Sequence, residues 1–339
     1  MLVFNLRHAL LLTSFVFATA SHAASFDCAG ASSPVEKAVC ADPYTSSLDE
    51  KLGALWRTTL AHVADPQALK ADQRAWLKNR SLCGADPACL AREYLMRLTE
   101  LKYAPRTFSW DATWQLIPHG VNSASEVIIK RQDATHVRFG ISAQEGANSG
   151  ELEGVAVLNG DEARFEEGSC TLVFRAINGV LDVTQNGDDV DCSAGMGVFY
   201  SGRYVAADKP LSMNYNLLSL GLARTQQEDQ AMHKLLNGDY QTLVDRTSTM
   251  TVGDPAVDVP DAEVIEMWVR GLGNMNAAIL MRAASHRFWV LMLVSDKEGR
   301  TRARYYANVP EWKKRLPAQF QAWYERMEGD RALPLDFMP

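Results

Sequence analysis

The chain has little of what catalysis or nucleic-acid binding is built from. It carries seven histidines in 339 residues. The five beyond residue 23 are His62, His119, His136, His233 and His286, and none stands in an H-E-x-x-H or other ligand spacing. There is no G-x-S-x-G, no P-loop and no dinucleotide fingerprint. The stretch "GLGNMN" stops short of G-x-G-x-x-G because Asn276 stands where the third glycine belongs. The six cysteines include no C-x-x-C pair, which removes a thioredoxin-like redox role. Lys plus Arg number 34 against 41 Asp plus Glu, and no basic run occurs, which removes nucleic acid as a partner. These absences predict no catalytic residue, no cofactor and no metal. A carboxylate pair for glycoside hydrolysis needs no proximity in sequence and stays open, so a cell-wall hydrolase is retained as a third reading.

Long apolar runs are equally scarce. One exists, Ala9 to Ala20, behind Arg7 and His8 and ahead of Ser21-His22-Ala23. That is the layout of a secretory signal peptide cleaved near Ala23, too short for a spanning helix, which needs ~18 to 20 apolar residues. Ser25-Phe26-Asp27 ahead of Cys28 lacks the small residues of a lipid-attachment site. The expectation is a periplasmic or secreted protein without a membrane span. An exported chain with six cysteines reads as three disulfides, and spacing favours the local pairs Cys28–Cys40, Cys83–Cys89 and Cys170–Cys192. Zinc would ask for C-x2-4-C spacing, whereas C-x11-C and C-x5-C occur here with no histidine beside them.

Residues 24–104 punctuate as a small helical unit. Ser33-Pro34-Val35-Glu36 is a capping box with proline at the first helical position, and predicts a helix from Pro34 to about Cys40. Ser47-Leu48-Asp49-Glu50 repeats the box, and Leu48, Leu52, Leu55, Trp56, Leu60 and Val63 follow at helical spacing. Asp65-Pro66 and Asp86-Pro87 open two more helices, stopped at Gly84 and Pro105. The stretches "FDCAGASSPVEKAVCADPYTSSLDEKL" and "LKADQRAWLKNRSLCGADPACLAREYLMRLTEL" resemble the LprI-type lysozyme-inhibitor family in Cys28, Glu36, Cys40, Leu48-Asp49, Gln73, Trp76, Arg80, Cys83 and Cys89. The resemblance covers about a quarter of the chain. It implies an exported helical module in a family with at least one lysozyme inhibitor, and it carries no inhibitory residue over. Gln73, Trp76 and Arg80 share one face of the third helix. The plain reading is a buried Trp whose polar flanks orient that helix.

From Pro105 the period changes from helix to strand. Thr113–Ile117, Glu126–Gln132, Val137–Ala143, Leu152–Leu158, Ala163–Glu166, Cys170–Ala176, Val180–Gln185 and Gly197–Val205 read as short strands, with Asn178-Gly179 as the best hairpin signal. Residues 105–208 therefore predict an antiparallel β barrel or sandwich. They hold seven basic and fifteen acidic residues, and so all of the chain's negative excess. Glu145, Glu151, Glu153, Asp161, Glu162, Glu166 and Glu167 crowd two hairpins and form a candidate patch for a basic partner. Asp188, Asp189 and Asp191 lack the order of a calcium loop and read as a charged turn. "YSGRYV" approaches the Ser-Gly-x-x-Tyr loop of another lysozyme-inhibitor family, with Tyr204 one residue early.

Residues 209–339 read as α+β. Two helical pieces flank Asn237-Gly238-Asp239; four strands follow, at Val264–Val269, Ala277–Arg282, Phe288–Val294 and Arg302–Ala307; a helix with Phe320, Trp323 and Met327 closes the chain. This order loosely resembles the Ivy-type lysozyme inhibitors, although Gly271 to Ala277 lacks the cysteine-bounded, histidine-bearing loop of that family. The expected molecule is thus multidomain: a disulfide-linked helical bundle, a β barrel or sandwich, and an α+β unit with an antiparallel sheet. The expected function is binding rather than catalysis. The partner would be lysozyme or a related basic muramidase, its cleft occluded by a loop or helix end. The alternative is a non-inhibitory envelope adaptor for an endogenous periplasmic partner.

Overall fold

The computed structural model describes residues 24–339; the leader assigned to residues 1–23 lies outside the described residues. Four helices come first: α1 (Pro34–Ala41), α2 (Pro43–Leu60), α3 (Pro66–Arg80) and α4 (Pro87–Tyr103). Each begins on a proline behind a polar N-cap: Ser33, Asp42, Asp65 and Asp86. Proline gives up no hydrogen bond there, and the cap side chain takes a backbone N–H that the helix cannot satisfy. α1 closes a full capping box, and the backbone N–H groups of Ser33 and Ser32 hold the Glu36 carboxyl down at about 2. The box expected at Ser47–Glu50 is not used. Asp42 accepts the Thr45 N–H at 2.8 Å and starts α2 earlier, so Ser46, Leu48 and Asp49 are already buried inside that helix. Disulfides join Cys28 to Cys40 around α1, Cys83 to Cys89 across the α3–α4 corner, and Cys170 to Cys192. In the loop-entropy model, closing a loop of the first size contributes on the order of 3 kcal/mol.

Eight strands follow: β1 (Ala112–Leu116), β2 (Ser123–Arg131), β3 (His136–Glu145), β4 (Asn148–Asn159), β5 (Glu162–Glu167), β6 (Cys170–Ile177), β7 (Val180–Asn186) and β8 (Gly202–Ala206). Each pairs antiparallel with the next, and β8 pairs back onto β1, which closes an up-and-down barrel. Alternation decides the two faces: Val137, Phe139, Ile141 and Ala143 of β3 point inward, while Arg138, Ser142 and Gln144 are exposed. Trp114, Phe139, Phe174, Tyr200 and Tyr204 fill the interior. The last strand is shorter than the expected Gly197–Val205. Gly197 and Tyr200 give their N–H groups to Asp189 and to Gln185 Oε1 instead of a neighbouring strand. The apolar side chains there still enter the core, which is why the stretch reads as a strand.

The C-terminal part holds α5 (Gln226–Leu236), α6 (Tyr240–Val244) and α7 (Ala318–Glu328), with strands β9 (Thr249–Val252), β10 (Glu263–Trp268), β11 (Ala277–Ala283), β12 (Arg287–Ser295), β13 (Thr301–Ala307) and β14 (Leu335–Phe337). The sheet has six strands in the order β14-β13-β12-β11-β10-β9, two more than the four expected. It is mixed, because β14 runs parallel to β13. Both additions are short edge strands without a strong alternating pattern. β12 is buried on both faces. Phe288, Val290 and Met292 meet Met232, Leu236 and Leu243 of α5 and α6; Trp289, Leu291 and Leu293 lie in one cluster with Phe320 and Trp323 of α7. Burying each such side chain contributes ~1.5–3 kcal/mol.

Specific polar contacts join the helices to the barrel. The tip of the β6–β7 hairpin presses on the end of α4. Gly179 donates its N–H to the Ala104 carbonyl at 3.0 Å, and a Cβ at Gly179 would sit 2.3 Å from the Tyr103 carbonyl oxygen. Asn178 exchanges hydrogen bonds with the Asp65 backbone, accepting at 2.9 Å and donating at 3.2 Å. Deeper in, Asp72 of α3 pairs with Arg97 of α4 at 2.6 Å and with Arg203 of β8 at 2.8 Å, and Arg203 also reaches Asp182 of β7 at 3.0 Å. Burial pushes the Asp72 carboxyl up, but Arg203 and then Arg97 outweigh it and hold the carboxyl below its ordinary value.

Removing Asp72 leaves Arg97 with Glu100 and Arg203 with Asp182 but takes a shared charge-assisted acceptor from both, a loss of ~1.5–3 kcal/mol. Asp72→Ala is expected to lower the midpoint of urea unfolding accordingly. The folded carboxyl titrates lower than the unfolded one. Its contribution is therefore complete above the ordinary value near 3.8 and is lost as pH falls through the lower folded value. The difference in stability between the wild type and Asp72→Ala should shrink across that acid window; a constant difference down to the lowest pH would contradict this.

Candidate functional site

The outer wall of β2, β3 and β4 carries three carboxylates, Glu126, Glu151 and Glu153. The register sets Glu126 opposite Ser142 and Ser142 opposite Glu151; the next row is Ile128, Gly140 and Glu153. Gly140 has nothing within 4 Å of where a Cβ would stand, so the missing side chain leaves a furrow between the rows. Two adjoining depressions of about 300 and 360 Å³ open there, sharing Glu126, Ser142 and Glu151. Among the described residues, Glu126, Glu151 and Glu153 have no ion-pair partner. Gln115 donates to Glu126 at 2.5 Å. Burial, and then the charge of Glu151, push the Tyr200 phenol up to about 12. One row further on, Lys130, Arg138 and Val155 end the acidic surface.

The seven acids picked from the sequence do not form one patch. Glu151 and Glu153 share this wall. Glu145 lies at the end of β3, accepts from Ser123 at 2.5 Å and faces His119 at 3.5 Å. Glu162 is paired with Arg175 at 2.8 Å and Glu166 with Arg164 at 2.6 Å. Asp161 sits in the β4–β5 turn, at the other end of β4 from Glu145, and Glu167 ends β5. Glu126 joins Glu151 and Glu153 although it stands far from them in sequence. Its signal was the outward phase of β2, which alternation alone could supply.

The remaining sequence features turn out to be structural. Tyr204 is fully buried, its hydroxyl donating to the Tyr200 carbonyl at 2.7 Å and lying 2.9 Å from the Ser125 hydroxyl, while Ser201 accepts the Gln185 N–H at 2.8 Å. The Ser-Gly-Arg-Tyr stretch therefore belongs to the barrel's closing seam. Asp188 and Asp191 accept each other's backbone N–H groups at 2.7 and 3.1 Å and tie a turn. Gln73, Trp76 and Arg80 of α3 do come together. They line a cleft of about 490 Å³ with Glu36, Asp49 and Trp56. Trp76 is buried against Tyr94, and Arg80 donates to the Tyr94 hydroxyl at 2.6 Å, which in turn donates to Asp49 at 2.8 Å.

With this geometry in view, part of the chain resembles proteins already described. It is 34% identical over 83 residues to Lipoprotein LprI of Mycobacterium bovis. The figures are the same for Lipoprotein LprI of Mycobacterium tuberculosis. The matched stretch is 24% of this chain and 42% of the relative, so the chain spans about two fifths of the length of the curated relatives it matches. No family model and no solved structure matches the chain. Among the described residues no helix is long and apolar enough to cross a membrane.

The furrow has an inexpensive structural probe. Gly140→Leu is expected to leave the thermal midpoint unchanged or slightly raised, because the site is open and strands disfavour glycine by a fraction of a kcal/mol. A fall of several degrees would show that Gly140 serves packing rather than leaving a surface depression.

Proposed function

We propose that the protein is a non-catalytic binding protein of the cell envelope that blocks lysozyme or a related basic muramidase. The observation that carries this reading is the partial likeness to Lipoprotein LprI. The residues Cys28, Glu36, Cys40, Leu48-Asp49, Gln73, Trp76, Arg80, Cys83 and Cys89 match the LprI-type pattern, and that family includes lysozyme inhibition. Three disulfides suit an oxidising compartment. The wall of Glu126, Glu151 and Glu153 supports the choice of a basic partner. Free carboxylates on a rigid sheet attract such a partner over a Debye length of ~8–10 Å, and complementary charge raises the rate of encounter more than it slows release. Inhibition then follows from bulk: a barrel face seated over the enzyme's cleft keeps the polysaccharide out.

The test is clearing of a bacterial cell-wall suspension by several basic lysozymes, with and without the purified protein. Clearing should slow with rising inhibitor, and more weakly as salt is added. The triple variant Glu126→Gln, Glu151→Gln, Glu153→Gln should associate roughly ten-fold more slowly at low ionic strength, with an unchanged melting temperature. Undiminished clearing at large molar excess against every lysozyme tried would sink the reading. Capture of one stoichiometric envelope partner without any effect on clearing would favour an adaptor instead.

A further inference from the structure

The cleft of the helical unit lies apart from the barrel wall, and its polar groups do not balance. Its carboxylates are held by neighbours within the unit. Asp49 Oδ1 accepts from Tyr94 at 2.8 Å, and Oδ2 accepts from the Ser25 N–H at 2.7 Å and the Ser25 hydroxyl at 2.6 Å. Glu36 Oε2 accepts the Ser32 and Ser33 N–H groups, each at 2.9 Å. Gln73 Oε1 accepts from Arg97 at 2.9 Å.

The donors are not spent. Lys70 and Arg74 stand four residues apart on α3, on the same face as Gln73 and Leu77, and among the described residues neither is bonded to a carboxylate. The Gln73 amide nitrogen donates to no described residue. The Nε of Arg80 is buried without a partner, its guanidinium held over the Trp76 ring at 5.1 Å and the Tyr94 ring at 5.5 Å. A buried donor without an acceptor is costly, and unpaired cations attract an anion: Lys70, Arg74 and Arg80 outnumber Glu36 and Asp49 in the lining, and only Arg80 faces one of these carboxylates, Asp49 at 3.9 Å. The rest of the cleft is apolar and ring-lined: Phe26, Leu52, Trp56, Trp76 and Leu77. At about 490 Å³ it is within the range of small-molecule sites.

We infer that this cleft binds a carboxylate carried on a ring-sized apolar group, with Lys70 and Arg74 taking the carboxylate and Phe26 and Trp56 taking the ring. The two halves of the ligand follow from the two halves of the lining. A bare inorganic anion would leave the aromatic wall unused, and a neutral apolar molecule would leave the donors unpaired. The assignment differs from muramidase inhibition, proposed above for the barrel wall, although Glu36, Asp49, Gln73, Trp76 and Arg80 of the LprI-type pattern line this cleft.

Phenylacetate and phenylacetamide are the probes, since they share shape and differ in charge. Binding to the full protein is followed by tryptophan fluorescence and by equilibrium dialysis. Phenylacetate should bind at least ten-fold more tightly than phenylacetamide, and should weaken as salt rises. Lys70→Ala/Arg74→Ala should abolish that preference with an unchanged melting temperature, because neither side chain holds the fold. N-acetylmuramate and a peptide ending in a free phenylalanine carboxylate then separate a sugar-acid source from a chain end. Equal affinity for the acid and its amide, full binding by the double variant, or no binding of phenylacetate would each overturn the proposal.

Discussion

One carboxylate joins two of the architectures in this molecule. Asp72 reaches from α3 to Arg97 of α4 on one side and to Arg203 of the barrel's closing strand on the other, at 2.6 and 2.8 Å. Glu100 and Asp182 complete the set around the two guanidinium groups. A buried charge pair adds little net stability over a well-packed apolar one, but it penalises every arrangement that leaves a partner unpaired. These pairs therefore favour the docking of the helices on the β7–β8 side of the barrel. The Asn178-Gly179 hairpin tip, pressed onto Asp65 and Ala104, makes the same choice from the neighbouring edge.

That docking leaves the opposite wall of the barrel free. β2, β3 and β4 keep their outer face for solvent, and the absent side chain at Gly140 shapes it. The same helices that close on the barrel through Asp72 keep Trp76, Gln73 and Arg80 around a cleft on their own side. Rigidity at the seam thus coexists with two open surfaces of opposite character. The barrel wall offers carboxylates without ion-pair partners, whereas the helical cleft sets Lys70 and Arg74, without such partners, beside an aromatic wall.

Much of the architecture was legible because its signals are local. A proline behind Ser or Asp announces a helix whatever lies across from it, and α1, α3 and α4 begin at such sites. Turn signals between short β-prone stretches marked the barrel strands, and a continuous apolar run marked β12. The misreadings share one cause. Ser47–Glu50 has the letters of a capping box, but Asp42 captures the Thr45 N–H first. Gly197–Ser201 has apolar side chains for the core but gives its backbone to Asp189 and Gln185. β9 and β14 exist only because β10 and β13 offer them an edge.

The sequence by itself determined the class of each segment, the local placing of its cysteines and the excess of negative charge in the middle third. All of these depend on residues within a few turns of one another. Which acids face one another was decided only by tertiary structure. Strand register brings Glu126 across to Glu151 and Glu153, while neighbouring arginines neutralise Glu162 and Glu166. Charge counts add along a chain, but a surface potential depends on distances through space, and those distances come from pairing between strands.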